Sequence, residues 1–276
     1  MSRTPAPPRR QSHRGPFVHT LTGLLDALLP APCAGCGADL GHLCPECRHL
    51  LATTPPTPVA AFPRTHAAAP YDGPVRRLLL AHKERGALGL AGPLGDTLAR
   101  AVRSALAPCP GGAPLLLVPV PSARAAVRAR GHDPTLRLAR AAAGALRREG
   151  LDARALPLLR HARPVADQAG LSASERHRNL RGALTVRPPG RFHRPDRPER
   201  PDRPDRPDRP ERLDRLDRPG PTGYRPVLVD DLVTTGASLV EAARALSAAG
   251  LPPAAAATVA AAVPHHRRHR PDTSGR

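Results

Sequence analysis

Two groups of residues in this chain have the types and spacing to do chemistry. The first is Val227-Leu-Val-Asp-Asp-Leu-Val-Thr-Thr-Gly-Ala-Ser238. Asp230 and Asp231 are adjacent carboxylates at the carboxyl end of an apolar run. Thr234, Thr235, Gly236, Ala237 and Ser238 follow as a turn of small hydroxyl residues and glycine. Hydroxyls beside the free N–H groups of a helix start suit a phosphate. Paired carboxylates suit vicinal hydroxyls or a magnesium ion. Together they describe a site for a sugar phosphate. The second group is Cys33-Ala-Gly-Cys36 and Cys44-Pro-Glu-Cys47. Four thiolates match the tetrahedral geometry of structural zinc. Disulfides and an iron–sulfur cluster are the alternatives, and zinc is the expectation for a chain read as cytoplasmic. A site closed by Cys33, Cys36, Cys44 and Cys47 leaves no position for substrate, so its role is structural or partner-binding.

Other phosphate-binding patterns do not fit. A Walker loop needs Gly-Lys-Ser/Thr after its glycine, and no lysine follows Gly236. A receiver domain also opens with an apolar strand and acids, but residues 231–276 are too few to complete one.

The elements that must position these groups alternate between strand and helix. Val227 to Val229 reads as a short buried strand of a parallel sheet, followed by a helix from Leu239 to Ala249 that Gly250 stops. A second strand, Leu115 to Pro121, leads into Ser122, Arg124, Arg128, Arg130 and Gly131. Prolines at its end fit a chain turning over a ligand. Arginines there bind pyrophosphate by bidentate hydrogen bonds, or simply follow the composition. Asp133 and Pro134 open a helix reaching Glu149. A third strand is expected over Ala155 to Leu159. Ser172 and Glu175 then have capping-box spacing, which starts a helix with Arg176 and Asn179 on one face. Tyr71 to Gly86 reads as a turn and helix, Leu88 to Leu106 as helix with a break at Gly92-Pro93, and Ala255 to Val263 as the last strand. The class is α/β, with a parallel sheet flanked by helices.

Composition narrows the functions. The 276 residues allow one or two domains. A net charge of +19 invites a nucleic-acid reading, but the arginines are spread along the whole chain and aromatics are only 2%. Single-strand binding modules want aromatic platforms, and few are present. Lys83 is the single lysine. No apolar run reaches the eighteen or so residues that span a membrane. Asp26 interrupts the apolar stretch Leu21 to Leu29, which reads as an amphipathic helix and not a signal peptide, so a cytoplasmic location is expected. Residues 187–225 are an Arg-Pro-Asp repeat that cannot bury a core. Cys109 reads as a plain thiol.

The ordered set of an amphipathic leader, two Cys-x-x-Cys pairs, the segment around Lys83, Val118-Pro-Val-Pro121 with later Arg130-Gly131, Gln168-x-Gly-Leu with Arg176 and Asn179, and the acid–threonine loop resembles the competence protein F (ComF/GntX) family. The resemblance covers residues 20–186 and 226–263. It implies a zinc ribbon joined to a type I phosphoribosyltransferase domain. Asp230 and Asp231 would hold the ribose hydroxyls of phosphoribosyl pyrophosphate, and Thr234 through Ser238 its 5′-phosphate. Pro121, Ser122, Arg124 and Arg130 would meet the pyrophosphate with magnesium. Gln168, Arg176 and Asn179 would belong to the hood over the acceptor. The family's Arg-Gly-aromatic-Asn-Gln is here Arg130-Gly-His-Asp-Pro134, without the aromatic and both amides.

The expected organisation is a basic leader (1–20), zinc ribbon and connector (21–63), phosphoribosyltransferase-like domain (64–186 and 226–263), disordered repeat (187–225) and basic tail (264–276). Three functions follow: a transferase with an unidentified acceptor, a non-enzymatic module of DNA uptake binding single-stranded DNA or competence-machinery proteins, or a scaffold that senses the sugar phosphate.

Overall fold

The computed structural model describes residues 32–108, 112–163, 173–187 and 223–262. The leader with Leu21–Leu29, Cys109, Gln168 and Ser172, the repeat over 188–222 and the basic tail lie outside the described residues.

Period-two alternation builds a sheet with two apolar faces. In β3 (Leu115–Pro119), Leu115 and Leu117 enter one core cluster, while Leu116 and Val118 enter another. In β7 (Arg225–Val233), Val227 and Val229 join the first cluster and Leu228 the second. β8 (Ala255–Ala261) repeats this with Ala255, Ala257 and Val259 against Ala256. With β1 (Thr57–Val59), β2 (Thr65–Pro70) and β4 (Ala153–Ala155) they form a six-stranded sheet of order β1-β2-β8-β7-β3-β4. Only the β1–β2 pair is antiparallel.

The first face is covered by α2 (Gly73–Glu84), α3 (Ala91–Leu106) and α5 (Pro134–Arg148). Helix α5 starts as its sequence predicts: Pro134 occupies the first turn and the Asp133 carboxylate accepts from the Leu136 N–H at 3.1 Å. The second face is covered by α7 (Ala237–Ser247) and by a small antiparallel sheet of β5 (Leu159–His161) and β6 (Leu184–Val186). Helix α1 (Pro45–Thr53) is capped by Cys44 and carries Cys47 in its first turn, and Cys33, Cys44, Cys47 and Leu51 share the first cluster with Leu78 and Leu98. Arg100 of α3 donates to Leu51 O at 2.6 Å and to Thr54 O, and Arg77 of α2 donates to Gly35 O. The cysteine segment is thus buttressed by the helices that cover the sheet.

Four expectations change. The strand around Val227 runs nine residues, because β8 offers partners beyond the end of β3, so Asp230 and Asp231 sit inside a strand rather than after one. The strand expected over Ala155 to Leu159 is two: Pro157 cannot donate to a ladder, so β4 ends before it and β5 pairs elsewhere. Gly92-Pro93 does not break a helix but lies in the first turn of α3, after a 3₁₀ turn at Leu88–Leu90. The arginine turn after Pro121 is in part a helix, α4 (Arg124–Arg130), closed by Gly131 at φ 73°.

Candidate functional site

The chain leaves β3 toward β4 on one side and later returns to β7 on the other. This reversal is the topological switch point, and the crevice at the carboxyl ends of the two strands is where open α/β sheets bind ligands. β3 pairs with β7 as far as Pro119 against Val229, and the Val120 N–H donates to Val229 O at 2.9 Å. Beyond that rung β7 continues with β8 alone, so Asp230 and Asp231 are the first residues of β7 past the end of β3.

Asp231 follows Val227 and Val229 onto the side covered by α2. It is buried, and its Oδ2 stands 2.6 Å from the Lys83 ammonium. Half-buried Asp230 accepts the Asp231 N–H at 2.9 Å. Burial, then the neighbouring Asp231 charge, pushes the Asp230 carboxyl well above the usual carboxylate range, against the pull of Lys83. Burial works against the Lys83 ammonium, but the charge and hydrogen bond of Asp231 hold its proton more tightly than usual.

The last turn of α2 supplies a wall that the sequence reading did not assign to the site. His82 is 1% exposed, and its ring lies edge-on to His132 with centroids 6.2 Å apart. Burial, helped by His132 and Arg137, lowers its pKa to about 4 despite Asp231, so the ring is neutral at pH 7. Glu84 accepts from Arg130 Nε at 2.9 Å. Three consecutive residues of α2 therefore face His132, Asp231 and Arg130. The available sequence signal was Lys83 itself, one lysine among 42 basic residues.

The turn after β7 is tight and leads into a helix start without a side-chain cap. Gly236 has φ 75°, and a Cβ there would meet Ala61 Cβ at 3.0 Å, so a side chain would be both strained and crowded. The Ala237 N–H lies 3.4 Å from Thr235 Oγ1, and α7 begins at Ala237 without a side-chain cap. Exposed Thr234 and half-buried Ser238 flank it.

The other candidates divide. Ser122 Oγ reaches the capping carboxylate of Asp133 at 3.4 Å, and Pro121 O lies 3.1 Å from His161 Nε2. Arg130 is drawn to Glu84, whereas Arg124 and Arg128 line a cleft of about 450 Å³ with His161, Ala162 and Arg163. Arg176 and Asn179 lie on α6 (Ala173–Leu180), which packs on α7, and Arg163 Nη2 donates to Asn179 O at 2.8 Å.

The ligand atoms of Cys33, Cys36, Cys44 and Cys47 all lie within 4.8 Å of one another. Zinc–sulfur bonds of about 2.3 Å need sulfurs roughly 3.8 Å apart, so the set fits structural zinc. Burial opposes ionisation of Cys33, yet N–H groups of Cys44, Cys36 and Gly35 bring its pKa to about 6. Burial and the neighbouring thiols push Cys47 up.

No family model and no curated protein matches the chain. Among the described residues, no helix is long and apolar enough to cross a membrane.

Proposed function

We propose that this chain is a phosphoribosyltransferase-like protein of the competence protein F type, which binds phosphoribosyl pyrophosphate together with magnesium. The observation carrying this reading is the acid pair and phosphate turn together at the switch point of a mostly parallel sheet. Asp230 and Asp231 take the ribose hydroxyls, and the turn from Thr234 to Ser238 with the start of α7 takes the 5′-phosphate. The pyrophosphate lies toward the loop after β3, with Pro121 and Ser122 beneath it and Arg130 beside it. Magnesium, bound through the pyrophosphate, would neutralise charge that develops when the anomeric bond breaks. The cleft between Arg124, Arg128 and His161–Arg163 is the candidate acceptor side.

Binding is better supported than transfer. The residues that replace the family's two amides have other work: Asp133 caps α5 and Pro134 occupies its first turn. The test is calorimetry of the zinc-loaded full chain with phosphoribosyl pyrophosphate and magnesium. Saturable binding that Asp230→Ala and Asp231→Ala each abolish is expected. Failure of the folded wild-type protein to bind would sink the proposal.

A further inference from the structure

Lys83 is out of keeping with the rest of the chain. Every other basic residue, histidine aside, is arginine, yet the cation against the buried acid is the single lysine. Arginine presents a planar fork that engages both oxygens of a carboxylate, whereas a lysine ammonium is a compact point charge. Lys83 engages Oδ2 of Asp231 at 2.6 Å, with side-chain exposures of 34% and 10% for the two residues. The ammonium is held from both sides in sequence: His82 is packed into the core, and Glu84 is paired with Arg130. A partly buried ion pair is weak evidence for stability, since desolvation and solvent screening offset most of its attraction. A role for the charge itself is the better account.

We propose that Lys83 is the specificity-determining residue of the acid pair. Its ammonium occupies the place beside Asp231 Oδ2 that a divalent cation would need, so the pair binds hydroxyls and is denied to free metal. Two adjacent carboxylates without that charge would be an open site for any hard cation. With Lys83 in place, magnesium enters the crevice only on the pyrophosphate, and the carboxylates stay available to accept from ribose hydroxyls. This deepens the proposed function and rests on it for the identity of the hydroxyl ligand. The exclusion of metal does not depend on it.

The experiment is a titration of the zinc-loaded full chain with manganese alone, following free manganese by electron paramagnetic resonance, with no phosphoribosyl pyrophosphate present. Coulomb interaction at this range in a partly solvated site is large enough that Lys83→Met should bind one manganese at least about tenfold more tightly than wild type. Lys83→Gln, measured in parallel, should behave alike, so a folding failure in one variant leaves the other to decide. Lys83→Arg, which keeps the charge, should stay like wild type. Adding Asp231→Asn to either neutral variant should erase the gain. No tightening in a folded neutral variant, or a gain that survives Asp231→Asn, overturns the proposal. Failure of wild type to bind phosphoribosyl pyrophosphate would remove the proposed function and leave the metal result standing. An unchanged manganese isotherm would remove the role of Lys83 and leave donor binding untouched.

Discussion

Replacing Glu241 with alanine tests how the small β5–β6 sheet is held to α7, the helix that begins after Gly236. Glu241 is 4% exposed on α7, and its Oε1 accepts the Leu184 N–H of β6 at 3.0 Å. Arg244, one turn later, donates to the same carboxylate at 2.8 and 2.7 Å and to Leu184 O at 3.0 Å. Burial opposes the charge, but Arg244 and the N–H groups of Leu184 and Gly182 hold the carboxyl below its usual range. Alanine orphans a buried N–H, at a cost of about 1–3 kcal/mol. The half-exposed Arg244 pair adds no more than about 1 kcal/mol after solvent screening. The sum, about 1–4 kcal/mol, lowers Tm by roughly 2–16 °C for a chain of this size. Thermal unfolding measures this, and hydrogen exchange at the Leu184 amide should show protection lost there before the sheet core. Glu241→Gln, which keeps an acceptor, should cost less than alanine. Because the carboxyl is held below its ordinary value of 4.5, the charge-dependent part of this contribution is present above that value and is lost as pH falls through the lowered one. A Tm drop under about 2 °C with unchanged exchange at Leu184 would refute the reasoning.

Two further outcomes follow from the geometry. His82 stays neutral in the fold down to about pH 4, while an unfolded histidine takes a proton near 6.5; stability therefore falls as pH drops between these values, by at most about 3 kcal/mol. Urea unfolding should show the wild-type protein losing stability against His82→Gln across that window, and a difference that does not vary with pH would count against it. Chelation should lower Tm by on the order of 10 °C or more, because Cys33, Cys44 and Cys47 share the core cluster with Leu78 and Leu98; reductant without chelator should leave Tm unchanged, and the reverse pattern would indicate disulfides.

Much of the local structure was legible because its causes are local. The Cys-x-x-Cys spacing brings four sulfurs within 4.8 Å, Asp133-Pro134 starts a helix, and the Leu115 and Val227 runs are strands. β2 was not legible. Its Thr-His-Ala-Ala-Ala-Pro sequence has little strand propensity, and pairing with β8 on one side and β1 on the other makes it a strand. The alanines of the β2 and β8 strands belong to an interior where helices approach closely. A Cβ on Gly95 of α3 would stand 2.3 Å from Ala141 Cβ of α5.

For the site, the sequence by itself determined the chemical types: an acid pair, a turn of small hydroxyl residues and glycine, a cysteine cluster and arginines after β3. Those assignments need only neighbours along the chain. Tertiary structure alone decided which of them meet. The strand order sets the acid pair and the loop after β3 at one crevice. It also draws Arg130 to Glu84 while Arg124 lines the cleft beside His161. Lys83 reaches Asp231 across 148 positions of sequence. That contact depends on α2 packing against the sheet face that Asp231 shares with Val227 and Val229, and no local spacing encodes it.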